Sequence, residues 1–187
     1  SITCFYFFVT FARNRDWKDE ATLLEKNVNI YPQSMDVRLQ LAEDYIRKKD
    51  YEKALYHIAA AHKMYPNLSK PYFSLAKYYA EKGPYDEAIK TFSNLLRDFP
   101  DDCKNNADFY YYFSIAYTKG GLYDEAISHY KKALTLRPLR PFNREVYNSI
   151  GNAYFYKNEF SKAIESYKSS LSIDPDWIVP YLSLIHI

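Results

Sequence analysis

The sequence has little of what catalysis, metal binding or nucleic-acid recognition requires. Among 187 residues there are two cysteines, Cys4 and Cys103, which define neither a metal spacing nor a disulfide framework and leave the redox compartment open. Charge of one sign is not in surplus. The formal net charge is +2, with Lys and Arg spread along the chain, which gives no reason to expect nucleic acid as a partner. No phosphate-cradling GxxxxGK, no HExxH and no GxSxG occurs. Ser74-Leu75-Ala76-Lys77 matches S-x-x-K but lacks its companion motifs. Asp101, Asp102 and Asn105 lack the glycine and terminal glutamate of a calcium loop. His57 and His62 stand five apart on one helix and point in different directions, which suits packing better than a shared metal. Asn67-Leu68-Ser69 is a glycosylation sequon, meaningful only in a eukaryotic secretory protein. No cofactor, metal or catalytic residue is expected in this chain.

What the sequence has is rings at regular intervals: 21 Tyr and 12 Phe. Five prolines, Pro32, Pro66, Pro100, Pro138 and Pro175, close successive stretches. Aligned on them, the same residue types recur. Twelve residues before each of the last four stand Ala54, Ala88, Ala126 and Ala163; the first stretch offers Glu20 with Ala21 beside it. A small residue recurs at Ala42, Ala76, Ser114 and Gly151, followed three residues later by Tyr45, Tyr79, Tyr117 and Tyr154. Trp17, Tyr51, Tyr85, Tyr123 and Phe160 open the second half of each stretch. Small residues let two helices approach closely, and rings fill the wedge between one unit and the next. The rings therefore read as core before they read as a stacking platform for nucleic acid or sugar.

Ala107–Pro138 shows the unit whole. Tyr110, Ser114 and Tyr117 mark a first helix, Gly120 and Gly121 break it, and Tyr123, Ala126, Tyr130 and Ala133 mark a second, which Pro138 stops. The unit resembles the tetratricopeptide repeat (TPR), a helix-turn-helix of 34 residues. That resemblance implies an all-α fold, a right-handed superhelical solenoid of antiparallel helix pairs in which each unit covers its neighbour. The expected order is a capping half-repeat over 15–34 and complete repeats over 35–68, 69–102, 107–140 and 144–177. The extra residues Cys103–Asn106 and Pro141–Asn143 are expected in inter-repeat turns. A further helix is expected to begin within 178–187. LSLIHI at 182–187 is also what a transposon sequencing adapter encodes in one reading frame. With no methionine in front, the chain reads as a fragment cut at both ends.

Residues 1–14 carry the uncharged stretch ITCFYFFVTFA before Arg13. Eleven helical residues rise roughly 16 Å, too few for a hydrocarbon core of about 30 Å, but they suit the end of a membrane helix whose beginning is missing. Arg13-Asn14-Arg15-Asp16-Trp17-Lys18-Asp19-Glu20 and the leucines after it resemble the membrane-to-repeat junction of the transmembrane and TPR-containing O-mannosyltransferases. That resemblance implies membrane attachment through the N-terminal segment, with the repeats in the periplasm or lumen. Arg13, Arg15 and Lys18 favour the cytoplasmic side by the positive-inside tendency, so that side stays open. None of that family's catalytic residues has a counterpart here.

The TPR resemblance also implies a partner surface on the stacked first helices, suited to a protein or an extended peptide. Its lining positions would be Leu39, Glu43 and Arg47, with Asp36 and Ile46 beside them; then Lys70, Phe73 and Lys77, with Glu81. The next two repeats give Tyr111, Ile115 and Lys119, with Asp108, and then Asn148, Asn152, Phe155 and Tyr156, with Glu145. The chaperone-binding members clamp a C-terminal carboxylate with lysines, arginine and asparagines. Only Asn152 matches that pattern, so that partner class is not expected. Arg137, Arg140 and Arg144 read as a soluble, charged loop rather than an anion site.

Overall fold

The computed structural model describes residues 20–138 and 140–180. All regular structure among them is helical: α1 Glu20–Ile30, α2 Met35–Arg47, α3 Tyr51–Met64, α4 Ser69–Lys82, α5 Tyr85–Asp98, α6 Pro100–Cys103, α7 Ala107–Lys119, α8 Tyr123–Leu136, α9 Arg140–Tyr156 and α10 Phe160–Ile173. A last helical stretch begins at 178. Among the described residues no helix is long and apolar enough to cross a membrane. The apolar segment 1–14, residues 15–19 of the half-repeat and the LSLIHI end lie outside the described residues.

The proline register reads the helix starts directly: α3, α5, α8 and α10 begin at Tyr51, Tyr85, Tyr123 and Phe160. Behind each start lies a turn that the register did not show in full. Lys49, Gly83, Gly121 and Asn158 stand two residues ahead of a second helix, and all four adopt positive φ, between 60° and 85°. The backbone N–H groups of Asp50, Leu122 and Glu159 then donate to the carbonyls of Tyr45, Tyr117 and Tyr154, each at 2.9 Å. This left-handed ending turns the chain through a fixed angle into the next helix. Side chains also cap the helix starts: Ser34 accepts from the Val37 N–H, Asp50 from Lys53 and Asn106 from Phe109.

One expectation about the insertions needs correction. Pro141–Asn143 do not form a turn, because α9 begins at Arg140. Proline in a first helical turn forfeits no hydrogen bond, so Pro141 lengthens the helix instead of stopping it. Pro100 likewise opens the short helix α6. Cys103 at its end is buried, its thiol 3.6 Å from the Leu95 carbonyl and its pKa pushed up to about 11 by burial.

The chain divides into two compact units between Tyr78 and Tyr79, within α4. In the first unit α1 packs on α2 and α2 on α3. Its core is largely aliphatic: Leu24, Val28, Leu41, Ala42, Ala54 and Ile58. The Tyr45 hydroxyl donates to Glu25 of α1. In the second unit α5 packs on α7, α7 on α8, α8 on α9 and α9 on α10. Its core is built of rings, with Phe92 between Phe109 and Phe113 at 5.5 and 5.1 Å, and with Tyr130 and Tyr167 almost wholly buried. Each such ring contributes roughly 1.5–3 kcal/mol through apolar area removed from water.

The small residues are where this packing is tightest. Ala54, Ala88, Ala126 and Ala163 are fully buried, as are Ala42, Ala76 and Ser114. At Gly151 even a methyl group is excluded: a Cβ there would lie 2.5 Å from Cε1 of Tyr167.

Candidate functional site

In the first unit the expected lining residues lie on α2 and on the part of α4 up to Tyr78. Leu39 is buried in the core, 7% exposed, and supports the surface from beneath. The charged positions neutralise one another across one repeat. Lys70 donates to Asp36 at 3.0 Å and Lys77 to Glu43 at 2.7 Å. Arg47 pairs with Asp44 at 3.0 Å, a carboxylate that Lys48 also meets. The Lys77 ammonium, 13% exposed, also lies 5.6 Å from the centre of the Phe73 ring. Phe73 is half-buried beside it. Exposed pairs of this kind contribute about 0–1 kcal/mol each to stability; their effect is to leave this face with little net charge, Lys70, Lys77, Arg47 and Lys48 standing against Asp36, Glu43 and Asp44.

In the second unit the expected residues lie on α7 and α9. Tyr111 is half-buried, against Tyr112, Tyr130 and Phe142 at 5.4, 5.9 and 5.6 Å. Burial, reinforced by Glu145, pushes its hydroxyl pKa up to about 12. Ile115 packs beside it against the cluster of Ala126, Tyr130, Val146 and Ile150. Lys119 donates to the Ala80 carbonyl at 2.9 Å and pairs with Glu81 at 3.0 Å, above the Tyr85 ring. Asn148 is 8% exposed, so it too belongs beneath the surface. The Asn152 side-chain oxygen accepts from the Tyr167 hydroxyl at 2.7 Å. At the end of α9 the rings come to the surface. Phe155 lies edge-on to Tyr156 and to Phe160, and Tyr156, 57% exposed, stacks on Tyr123 at 5.8 Å. Lys157 beside them bridges Asp124 and Glu159, and these two carboxylates raise its pKa.

Tyr123 and Phe160 complete this exposed cluster, although their spacing marks them only as helix openers. A signal was present in the sequence. The position that holds Arg47, Glu81 and Lys119 in the other repeats holds Tyr156 in the last, a ring where charge is the rule.

The remaining candidates are held apart. Arg137 makes a two-pronged contact with Asp108 at 2.8 and 2.6 Å, whereas Arg144 pairs with Asp174 at 2.5 Å and covers the Trp177 ring. Each guanidinium is matched by its own carboxylate. The Arg140 side chain lies outside the described residues. Among the described residues no group of three or more His, Cys, Asp or Glu is placed to hold a metal. His57 stacks on Tyr45 and His62 lies edge-on to Tyr72. Asp101 pairs with Lys104, and Ser74 of the S-x-x-K sequence is buried.

Sequence profiles described as "Tetratricopeptide repeat" match residues 72–102 and 105–176, together more than half of the chain. The chain is 27% identical over 141 residues to the human protein O-mannosyl-transferase TMTC1, covering 75% of this chain and 16% of that protein. It is 28% identical over 141 residues to the Hsp70-Hsp90 organizing protein of Triticum aestivum, covering 75% of this chain and 22% of that protein. The chain thus spans less than a quarter of the length of these relatives. Among solved structures, a thermophilic TPR protein of Thermus thermophilus superposes with a TM-score of 0.75 at 17% identity, over 95% of this chain and 93% of that one.

Proposed function

We propose that this chain, which belongs to the tetratricopeptide-repeat family, binds a peptide or protein partner along the first helices of its repeats and does no chemistry itself. One observation carries this reading. The charges on those helices are matched within the chain, Asp36 by Lys70, Glu43 by Lys77 and Glu81 by Lys119, while Phe73, Phe155 and Tyr156 keep ring surface at or near the solvent. Such a face favours a partner read through apolar side chains and backbone amides over one read through a charged terminus. The contact set is Glu43, Arg47, Lys70, Phe73 and Lys77 in the first unit, and Ile115, Lys119, Asn152, Phe155 and Tyr156 in the second. Leu39, Tyr111 and Asn148 support it from below.

Panning a random-peptide library on the immobilised chain tests this. Enriched peptides should carry aromatic or branched apolar residues and little net charge. Replacing Phe73, Phe155 and Tyr156 together by alanine should abolish their capture with helicity kept. Tyr111 stays in place in that variant because its ring is packed on Tyr130 and Phe142. Undiminished capture by the triple variant would sink the assignment.

A second reading is that the chain is the partner- or substrate-presenting tail of a polytopic membrane glycosyltransferase. The resemblance of Arg13–Glu20 to the O-mannosyltransferase junction and the similarity to TMTC1 favour it. The Hsp70-Hsp90 organizing protein matches at the same level, so the similarity speaks for the repeat before it speaks for any partner. Reading the gene upstream of Ser1 decides between them. Many membrane helices, with an acidic residue in an early extracytoplasmic loop, support the tail; further soluble repeats remove it.

A further inference from the structure

α3 buries Ala54, Ile58 and Ala61 in the core of the first unit. On its opposite face, at helical spacing, stand Glu52, Leu55, Tyr56, Ala59 and Lys63, all exposed, with Ala60 half-buried at the edge. Tyr56 is 66% exposed and Leu55 39%. The outward face of a helix packed on a core is ordinarily polar, and the other second helices keep to that. Where α3 has Tyr56, they have Lys90, Ser128 and Glu165; where it has Ala59, they have Ser93, Lys131 and Lys168. One helix of the array thus exchanges polar groups for a ring and small residues.

This stripe is complementary to itself. Glu52 and Lys63 mark its two ends, eleven residues or about 16 Å apart along the helix. Neither side chain has an ion pair or hydrogen bond among the described residues. Tyr56 and Ala59 stand four residues in from either end. A half-turn about an axis across the middle of the stripe sets Glu52 opposite Lys63 of a second copy, and Lys63 opposite its Glu52. The Tyr56 ring then meets Ala59 and Ala60 of the second copy, a ring on small residues as in the core of this fold.

We propose that α3 packs antiparallel on α3 of a second copy of this chain and joins the two into a symmetric dimer. A partner of another sequence would not require the charges and sizes to match under a half-turn. A single helix pair is smaller than a standard interface, so the dissociation constant falls between about 1 µM and 1 mM. The surface is separate from the first helices assigned to the peptide or protein partner.

Sedimentation equilibrium of the whole chain across that concentration range tests the dimer. Glu52→Lys sets lysine against lysine at both ends, and Lys63→Glu sets glutamate against glutamate; each alone should weaken association at least tenfold. Mixed in equal amounts, the two variants should regain it to within about threefold, because every contact again pairs a lysine with a glutamate. Glu52 and Lys63 also suit the dipole at their own helix ends, and mixing separates the two effects, since a helix weakened in its own chain is not repaired by another. Ala59→Arg, which fills the place of the Tyr56 ring, should abolish the dimer while helicity and melting temperature hold. The Phe73, Phe155 and Tyr156 triple alanine variant should dimerise as the unaltered chain does. Four results would each overturn the proposal: a monomer throughout the range, association indifferent to Ala59→Arg, no recovery on mixing, or loss in the triple alanine variant, which would move the contact to the first helices.

Discussion

The two compact units use the same repeat positions and fill them with different chemistry. In the first, the core is mostly aliphatic, and the first helices present ion pairs at 3.0 and 2.7 Å. In the second, Phe92, Phe109, Phe113, Tyr130 and Tyr167 dominate the core. The difference teaches that the repeat specifies size more strictly than polarity. A ring is admitted wherever the residue facing it is small enough, and a charge wherever the next repeat supplies its opposite. Tolerance is correspondingly lower in the second unit, because large rigid groups leave little room to adjust.

The sharpest test of that contrast is at one repeat position in both units. Gly151→Ala places a methyl group 2.5 Å from the Tyr167 ring, which is buried and tied by its hydroxyl to Asn152. Overpacking of this kind costs typically about 1–3 kcal/mol, and the backbone entropy relieved by losing glycine returns only a fraction of it. Ala42→Gly, at the corresponding position of the first unit, should cost roughly 1–2 kcal/mol, from helix propensity and the loss of one buried methyl group. Denaturant unfolding of the two variants measures the pair. A larger loss at position 42 than at 151 would reverse the comparison.

Next in size is the turn. Lys49 holds φ at 60° where Gly121 of the second unit holds 79°. A side chain in the left-handed region costs roughly 1–2 kcal/mol, and glycine escapes that penalty. After the entropy glycine loses on folding, Lys49→Gly should raise stability by about 0.5–1 kcal/mol, and Gly121→Lys should lower it by a similar amount. Chemical denaturation reads both, and a Lys49→Gly variant that loses stability would show that the lysine stem makes contacts outweighing the strain.

The helix starts were legible in the sequence because the rings and alanines that set them repeat with the prolines. So was the small-residue seam, down to Gly151. What the sequence concealed depends on partners far apart in the chain. Glu43 and Lys77 read as two handles on a binding surface until they are seen to bond each other across 34 residues. Leu39 and Asn148 carry the spacing of lining positions, yet neighbouring helices bury them. The left-handed turn was readable at Gly121 but not at Lys49, since lysine gives no local sign of positive φ. Pro141 reads as part of an inter-repeat turn, yet it stands in the first turn of the helix that begins at Arg140.

The smallest effect isolates a histidine packed inside the first unit. His57 is half-buried, stacked on Tyr45 at 5.8 Å and edge-on to Tyr56, with Nδ1 buried and without a hydrogen-bond partner. Burial lowers its pKa below the usual histidine value, Arg38 lowers it further, and Glu25 opposes them. The folded chain therefore holds this proton less tightly than the unfolded one. Where the unfolded chain binds the extra proton, stability rises with pH. It must accordingly fall as pH drops through about 6.5, the ordinary histidine value, and stop falling below the folded pKa. His57→Phe keeps the ring in the stack and removes the titration. The drop in melting temperature between pH 7.5 and pH 6 should be smaller in that variant than in the unaltered chain. Glycine at 151 and rings in the second unit would leave this slope untouched, so equal slopes in the two proteins would show that the first unit carries no such buried base.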